Sequence, residues 1–248
     1  MHKTTLIAAA VTFAAVSVAG AQTTLINDDF DRTVTGSFGS TPEGIAYGSN
    51  QTNQTVAGGV ATFGQSANTL QADLAPLAPV GYTVTFDAAR NTSGGGFVSF
   101  FTGVGSADSN ALIFDIENAE ADYGVLVQQN NDAAGELIAR IFEGGSLVDS
   151  FPLAGSDNSA AFDVAITVLA PDGYGDGAEG TVALAVNGSA LGSAPVTFDG
   201  NNSGFATLSS NIGAATVDNL VVTALPVPEP ASLALLGLGG LGLVRRRK

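Results

Sequence analysis

The chain of 248 residues holds 23 acidic residues, 8 basic residues and no cysteine, so neither disulfides nor thiolate metal sites can form. Between residues 22 and 230 only three arginines accompany all 23 acidic side chains, and the resulting formal charge of −20 excludes nucleic acids as partners while it favours divalent cations. The one histidine is His2, so the rest of the chain has no Ser-His-Asp triad and no histidine-ligated zinc or iron.

The first 21 residues have the composition of a secretory signal peptide. His2 and Lys3 precede an alanine-rich apolar run, and a triplet of small residues ends at Ala21. A short basic region, an apolar region and a small-residue cleavage site are the three parts of such a signal. We therefore predict cleavage between Ala21 and Gln22, and export of the remaining chain.

The body between the two ends is predicted to consist of β-strands. Residues 82–88 and 162–168 alternate apolar with polar side chains, which is typical of strands with one buried and one solvated face. Shorter runs of similar composition predict strands at 24–30, 60–63, 97–103, 111–117, 124–128, 137–142, 182–186 and 217–225. Turns rich in glycine and asparagine separate these runs, and Asn187-Gly188 is the clearest tight hairpin.

This strand rhythm predicts one all-β domain over residues 22–225, flanked by the signal peptide (1–21) and a C-terminal segment (226–248). Many short strands with frequent turns indicate a sandwich or a barrel, and we expect the first and last strands to pair. The opening DDFDR (28–32) and the closing VDNLVV (217–222) resemble the ends of concanavalin A-like, laminin G-like jelly-roll domains. The resemblance implies a jelly-roll β-sandwich, but no particular activity, because one fold hosts many functions.

A glycine-rich loop between two predicted strands carries carboxylates at Asp172, Asp176 and Glu179. Calcium takes several oxygen ligands in flexible geometry, so this loop is a candidate calcium site, although its spacing differs from that of an EF-hand. A solvated acidic hairpin loop is the alternative. Asp28, Asp29 and Asp31 near the first strand form a second candidate cluster, which Asp218 would join if the terminal strands pair.

The segment 115–120 is similar to the Glu-x-Asp-x-x-Glu strand of jelly-roll retaining glucanases, with its first two positions exchanged. Asp115 and Glu117 would share one strand face, and a retaining mechanism needs two carboxyls about 5–5.5 Å apart. The chain has no tryptophan to stack on a sugar ring. We therefore expect a protein that is not an enzyme, with a carboxylate-based glycan hydrolase or lyase of the jelly-roll type as the alternative.

The C-terminal segment combines three parts. Its first part is the sequence Val227, Pro228, Glu229 and Pro230. An apolar run over 231–244 follows, and the basic residues that end the chain are Arg245, Arg246, Arg247 and Lys248. A basic end after an apolar run is a membrane stop whose charges stay in the cytoplasm. As a helix the run would span about 21 Å, short of a hydrocarbon core of about 30 Å, so we predict a short, transient transmembrane helix, with a permanent anchor as the alternative.

Together these three parts resemble the PEP-CTERM sorting signal. The resemblance implies recognition by an exosortase, a membrane transpeptidase of Gram-negative bacteria that make extracellular polysaccharide. It also implies cleavage near the Pro-Glu-Pro triplet and transfer from the inner membrane to the cell surface or extracellular matrix. We therefore expect an exported, non-catalytic surface or matrix protein that binds polysaccharide, with calcium as the one cofactor that the sequence suggests.

Overall fold

The computed structural model describes residues 22–47, 53–63, 68–90, 96–103, 121–129, 135–157, 160–200, 203–210 and 215–227. The chain divides into two compact units, of which one is Gln22–Leu225 and the other joins Met1–Ala21 with Pro226–Lys248. Nearly all of the second unit lies outside the described residues. The predicted signal peptide, the predicted membrane helix and the predicted strand at 111–117 lie outside them as well.

The described residues form fifteen β-strands, and no helix among them is long and apolar enough to cross a membrane. The strands are β1 (Thr23–Asp28), β2 (Val34–Thr35), β3 (Thr55–Ala57), β4 (Val60–Thr62), β5 (Asn68–Asp73), β6 (Gly81–Ala89), β7 (Phe97–Thr102), β8 (Tyr123–Gln129), β9 (Leu137–Glu143), β10 (Ser146–Leu153), β11 (Ala161–Leu169), β12 (Glu179–Val186), β13 (Ser189–Thr197), β14 (Phe205–Ser210) and β15 (Thr216–Ala224). The all-β prediction is confirmed.

Within this part of the chain the strands pair into two antiparallel sheets. One sheet has nine strands in the order β13-β12-β11-β6-β15-β4-β3-β2, with β1 also paired to β15. The other has six, in the order β10-β9-β8-β7-β14-β5. The first half of β15 pairs with β4 and its second half pairs with β1, from Thr23 opposite Ala224 to Asp28 opposite Leu220. The predicted pairing of the terminal strands is therefore confirmed.

The inward faces of both sheets supply one hydrophobic core. Val84, Phe86 and Ile166 from the nine-stranded sheet and Phe100 and Val125 from the six-stranded sheet are all buried in it. Burial of a side chain of this size contributes about 1.5–3 kcal/mol. Such a core explains how the Gln22–Leu225 unit can be stable although the chain has no cysteine.

Strand β7 departs from the simple inward–outward pattern, since all six of its residues are buried. Its inward side chains join the main core, whereas Phe97 and Phe101 belong to a second apolar cluster with Leu126 and Phe142. These residues occupy the outer face of the six-stranded sheet. That part of the outer face is therefore enclosed within the protein and is not exposed to solvent.

The hairpin between β12 and β13 turns at Asn187-Gly188, as predicted. Both residues have positive φ angles, 50° for Asn187 and 69° for Gly188, which is the backbone of a type I′ turn. The Asn187 side-chain oxygen accepts a hydrogen bond from the Asp163 backbone N–H at 3.1 Å, and the Gly188 N–H donates to the Asp163 carboxylate at 3.1 Å. The turn between β12 and β13 is thus tied to β11, which pairs with β12 on the side opposite β13.

Candidate functional site

The candidate calcium loop lies between β11 and β12 and is anchored by its tyrosine. The Tyr174 hydroxyl donates to the Ala78 carbonyl at 2.9 Å. The exposed carboxylates of Asp172, Asp176 and Glu179 extend from this loop. The described residues contain no group of three or more histidine or carboxylate side chains that could hold a metal ion. The structure therefore does not bring the three predicted ligands together as such a group.

The second predicted cluster has another role, because Asp28 is part of a buried ion pair. Its carboxylate accepts hydrogen bonds from Arg32 Nη1 at 2.6 Å and from the Tyr47 hydroxyl at 2.8 Å. The same carboxylate also accepts from the Phe30 N–H at 2.9 Å, and Phe30 has the unusual φ of 53°. The DDFDR segment is thus a structural turn, and Asp28 is not available to a metal with Asp29, Asp31 or Asp218.

The buried Asp28 network also changes the chemistry of Tyr47. Burial raises the pKa of Tyr47 far above its ordinary value, and the negative charge of Asp28 raises it further. Tyr47 is therefore a neutral hydrogen-bond donor at all pH values at which proteins fold. The Arg32 guanidinium lies 5.2 Å from the centre of the Phe30 ring, a distance at which cation–π attraction adds to the ion pair.

Three aspartates form a row across the outer face of the nine-stranded sheet. Asp163 on β11 lies opposite Asp87 on β6, and Asp87 lies opposite Asp218 on β15. Asp87 and Asp163 lie between buried neighbours, Asp218 follows the buried Val217, and all three point away from the core. Like charges directly opposite each other destabilise a sheet, so this row of aspartates lowers the stability of the nine-stranded sheet and is not required for its folding.

The aspartate row lines an open groove of about 450 Å³, which Asn187 and Thr216 also border. A β-bulge at Asp218 gives Asn219 a positive φ of 49°, and the Asn219 side-chain amide donates to the Asp87 carboxylate at 2.7 Å. The groove is therefore lined by several hydrogen-bond acceptors. Carboxylates bind hydroxyl donors through short, strong hydrogen bonds, so the groove can accept a polyhydroxylated ligand.

The sequence reasoning missed Asp87 and Asp163. Both occupy polar positions of the two strands with the clearest alternation, and aspartate is depleted in strands. The signal that could have revealed them is the presence of aspartate at strand positions where threonine is more usual. Their alignment across the sheet depends on register, which the sequence alone does not reveal.

A second, enclosed carboxyl lies where β8 begins. Asp122 is only 6% exposed, and its Oδ1 accepts a hydrogen bond from the Asp199 backbone N–H at 3.1 Å. Burial raises the pKa of Asp122 to about 6, and the charge of Asp199 adds to the rise, while a hydrogen bond from Ser203 opposes it. The other oxygen, Oδ2, is buried and has no hydrogen-bond partner. A titrating carboxyl can serve acid–base chemistry, but this one is shielded from large ligands.

The remaining predicted site residues lie at or beyond the limits of the described chain. Gln22 is the first described residue and is exposed, whereas Ala21 lies outside. Val227 is 58% exposed after the last strand, and residues 228–230 and 245–248 lie outside the described residues. The candidate catalytic pair Asp115 and Glu117 lies outside them too.

Comparison with known protein families decides the nature of the C-terminal segment. Residues 226–248 match the PEP-CTERM protein-sorting motif. This chain carries a PEP-CTERM sorting motif. A PEP-CTERM motif implies export and membrane-anchored sorting in a Gram-negative bacterium, with processing by an exosortase. It covers only the end of the chain and leaves the sandwich without a family.

Solved structures similar to this chain share its sandwich. A mutant of alginate lyase Aly36B in complex with alginate tetrasaccharide has a TM-score of 0.54 at 13% identity, over 82% of this chain and 97% of the lyase. The endo-β-1,3-glucanase from Pyrococcus furiosus has a TM-score of 0.50 at 10% identity, over 83% of this chain and 95% of the glucanase. These similarities confirm the jelly-roll sandwich and show the fold alone. No curated protein sequence matches this chain.

Proposed function

We propose that this chain is an exported, non-catalytic protein of the cell surface or extracellular matrix, delivered there by its C-terminal sorting motif and able to bind polysaccharide. The observation that carries the proposal is the PEP-CTERM motif at residues 226–248. The predicted signal peptide at residues 1–21 supplies export, and the predicted basic membrane stop supplies temporary retention. An exosortase-type transpeptidase then cuts near the Pro-Glu-Pro triplet.

Sorting is tested with the full chain in a bacterium that has an exosortase. Replacing Pro228, Glu229 and Pro230 together by alanine should leave the protein unprocessed in the inner membrane. The matched control replaces three residues of the folded unit's exposed loop, Asp172, Asp176 and Glu179, by alanine, and it should still be processed. Equal processing of both variants would overturn the sorting role of the triplet.

The groove at the aspartate row supports the polysaccharide-binding part of the proposal. Asp87, Asp163 and Asp218 offer acceptors along an open surface, as a chain of sugar hydroxyls requires. The same charges, together with the −20 of the mature region, repel polyuronates such as alginate. The ligand class that fits is therefore a neutral polysaccharide.

Binding is tested with the Gln22–Leu225 unit on an array of neutral and uronate glycans. We expect neutral glycans to bind and Asp87→Ala to weaken that binding about tenfold, because a hydrogen bond to a charged group contributes about 1.5–3 kcal/mol. Asp172→Ala removes the same charge outside the groove and should bind like the wild type. Binding confined to uronates, or an equal loss in both variants, would contradict the assignment of the groove.

The non-catalytic part of the proposal rests on the arrangement of the described carboxyls. Burial raises the pKa of Asp122 to about 6, and the side chain of this carboxyl is enclosed. A glycosidic oxygen would have to reach that carboxyl to be protonated. We expect no new reducing ends and no unsaturated sugars when bound glycans are incubated with the protein, and their appearance would favour the hydrolase or lyase alternative.

A further inference from the structure

Four buried polar atoms without hydrogen-bond partners gather at one end of the sandwich. They are Tyr82 Oη, Thr102 Oγ1, Asp122 Oδ2 and Tyr123 Oη. Thr102 and Tyr123 are direct neighbours across β7 and β8. The Tyr82 hydroxyl, which belongs to the opposite sheet, lies within electrostatic range of both Asp122 and Tyr123. Buried polar groups are almost always satisfied, so unpartnered oxygens in one region of the core point to a polar ligand there.

A second carboxylate connects this buried cluster with the surface. Asp199 is exposed, and its backbone N–H holds Asp122 Oδ1 at 3.1 Å. The Ser203 hydroxyl donates to the Asp199 carboxylate at 3.4 Å. The two carboxylates are close enough for Asp199 to act on the Asp122 carboxyl. The exposed Asp199 therefore lies directly beside the enclosed Asp122 carboxyl.

Among the described residues, no basic side chain is found that offsets the charge of Asp122. No basic side chain is among the groups that act on its carboxyl, and it takes part in none of the salt bridges found there. The Gly103 backbone packs closely against Asp122 and restricts its side chain. A Cβ added to Gly103 would lie only 2.7 Å from the Asp122 nitrogen and 2.9 Å from its Cγ. A buried carboxylate without a counter-charge is costly, and a cation would remove that cost.

We propose that Asp122 and Asp199, with the hydroxyls of Thr102, Tyr82 and Tyr123, form a calcium site distinct from the Asp172–Glu179 loop. The donors are carboxylate and hydroxyl oxygens, which are ligands for a hard cation. Calcium tolerates the irregular geometry of oxygens that come from separate strands, whereas magnesium demands an octahedron. Two carboxylates balance the charge of one divalent ion.

The test is carried out on the Gln22–Leu225 unit, which encloses its own core and can be prepared alone. After treatment with a chelator, about 10 mM calcium should raise Tm by about 3–6 °C, on the basis of the millimolar affinity of extracellular calcium modules, and magnesium should have a smaller effect. Terbium should replace calcium and show emission sensitised by the adjacent tyrosines. Absence of both responses overturns the proposal.

Two matched variants locate the site. Asp122→Asn keeps the shape of the side chain and should abolish the calcium-dependent rise in Tm, whereas Asp172→Asn in the loop should retain it. The reverse result would place calcium at the Asp172–Glu179 loop and overturn the proposal. Should Asp122→Asn fail to fold, the test uses Tyr82→Phe. This variant removes one unpartnered hydroxyl and should raise the terbium concentration at half-saturation, the midpoint, about tenfold. An unchanged midpoint in that variant counts against the site.

Discussion

At the scale of single residues, Asp28 organises the turn that follows β1. Its buried carboxylate receives the Arg32 guanidinium, the Tyr47 hydroxyl and a backbone N–H. Arg32 also donates to the Phe38 carbonyl at 2.8 Å and is partly exposed, with 23% of its side chain accessible. Removal of Asp28 would therefore leave a largely buried guanidinium and a buried hydroxyl without their acceptor.

We predict that Asp28→Ala lowers the free energy of unfolding by about 2–4 kcal/mol, because breaking one side of a buried ion pair leaves an uncompensated charge. Asp29→Ala, at the exposed neighbouring position, should change it by about 0.5 kcal/mol or less. Urea denaturation of the Gln22–Leu225 unit measures both. Equal losses would mean that the ion pair adds nothing to stability.

A second residue-scale prediction concerns Asp122 in the presence of a chelator. Burial raises its pKa from 3.8 to about 6, so folding favours the protonated carboxyl. Its stabilising contribution is complete below about pH 4 and is lost as the pH rises to about 6. Above pH 6 we expect Asp122→Asn to be more stable than the wild type by about 3 kcal/mol, since one pKa unit corresponds to about 1.36 kcal/mol.

The control for this prediction is the same comparison at low pH. Near pH 4 both proteins carry a neutral side chain at position 122, so their free energies of unfolding should converge. A difference between the two proteins that does not change from pH 4 to pH 8 would show that the carboxyl does not titrate in this range.

At the scale of elements, the Asn187-Gly188 turn links β12 to β13. A Cβ at Gly188 would meet nothing within 4 Å, so only its φ of 69° opposes a side chain. We predict that Gly188→Ala destabilises the protein by about 1–2 kcal/mol, the cost of a left-handed conformation for an L-residue. Thermal unfolding measures the change.

Gly175→Ala is the matched control, since a Cβ there also meets nothing within 4 Å and the φ is not in the left-handed region. Its stability should be unchanged or slightly higher, because alanine restricts the unfolded chain. If both variants lose the same stability, the turn geometry is not the cause.

Alternation predicts β6 and β11 to within one residue at each end, because each has one buried and one solvated face. It does not predict β10 and β13, which are the outermost strands of their sheets and are largely exposed. An edge strand has fewer neighbours, so its composition is less constrained. Without register, the sequence also could not show that Asp122 lies beside Asp199 and within electrostatic range of Tyr82, which come from distant parts of the chain.

At the scale of the whole molecule, the folded unit ends very close to the sorting motif. The Leu225 N–H still donates to the Gly81 carbonyl at 2.9 Å, and only Pro226 and Val227 separate it from Pro228. Two extended residues span about 7 Å. A transpeptidase that needs an extended substrate would therefore have to work against the end of the sandwich.

We predict that a flexible linker of about eight residues, inserted after Val227, speeds processing of the full chain in cells, because such a linker adds reach at little entropic cost. Pulse-chase labelling measures the rate. A linker of the same length inserted in the exposed Asp172–Glu179 loop is the control and should leave the rate unchanged. Slower processing with the linker after Val227 would indicate that the short spacing is itself recognised.

The most direct measurement of the central proposal is the C-terminus of the native protein, determined by mass spectrometry after isolation from the cell surface. Sorting through the PEP-CTERM motif predicts a chain that ends near Pro228–Pro230 and lacks the apolar run and the basic cluster. A surface protein that still ends in Arg245–Lys248 would contradict it.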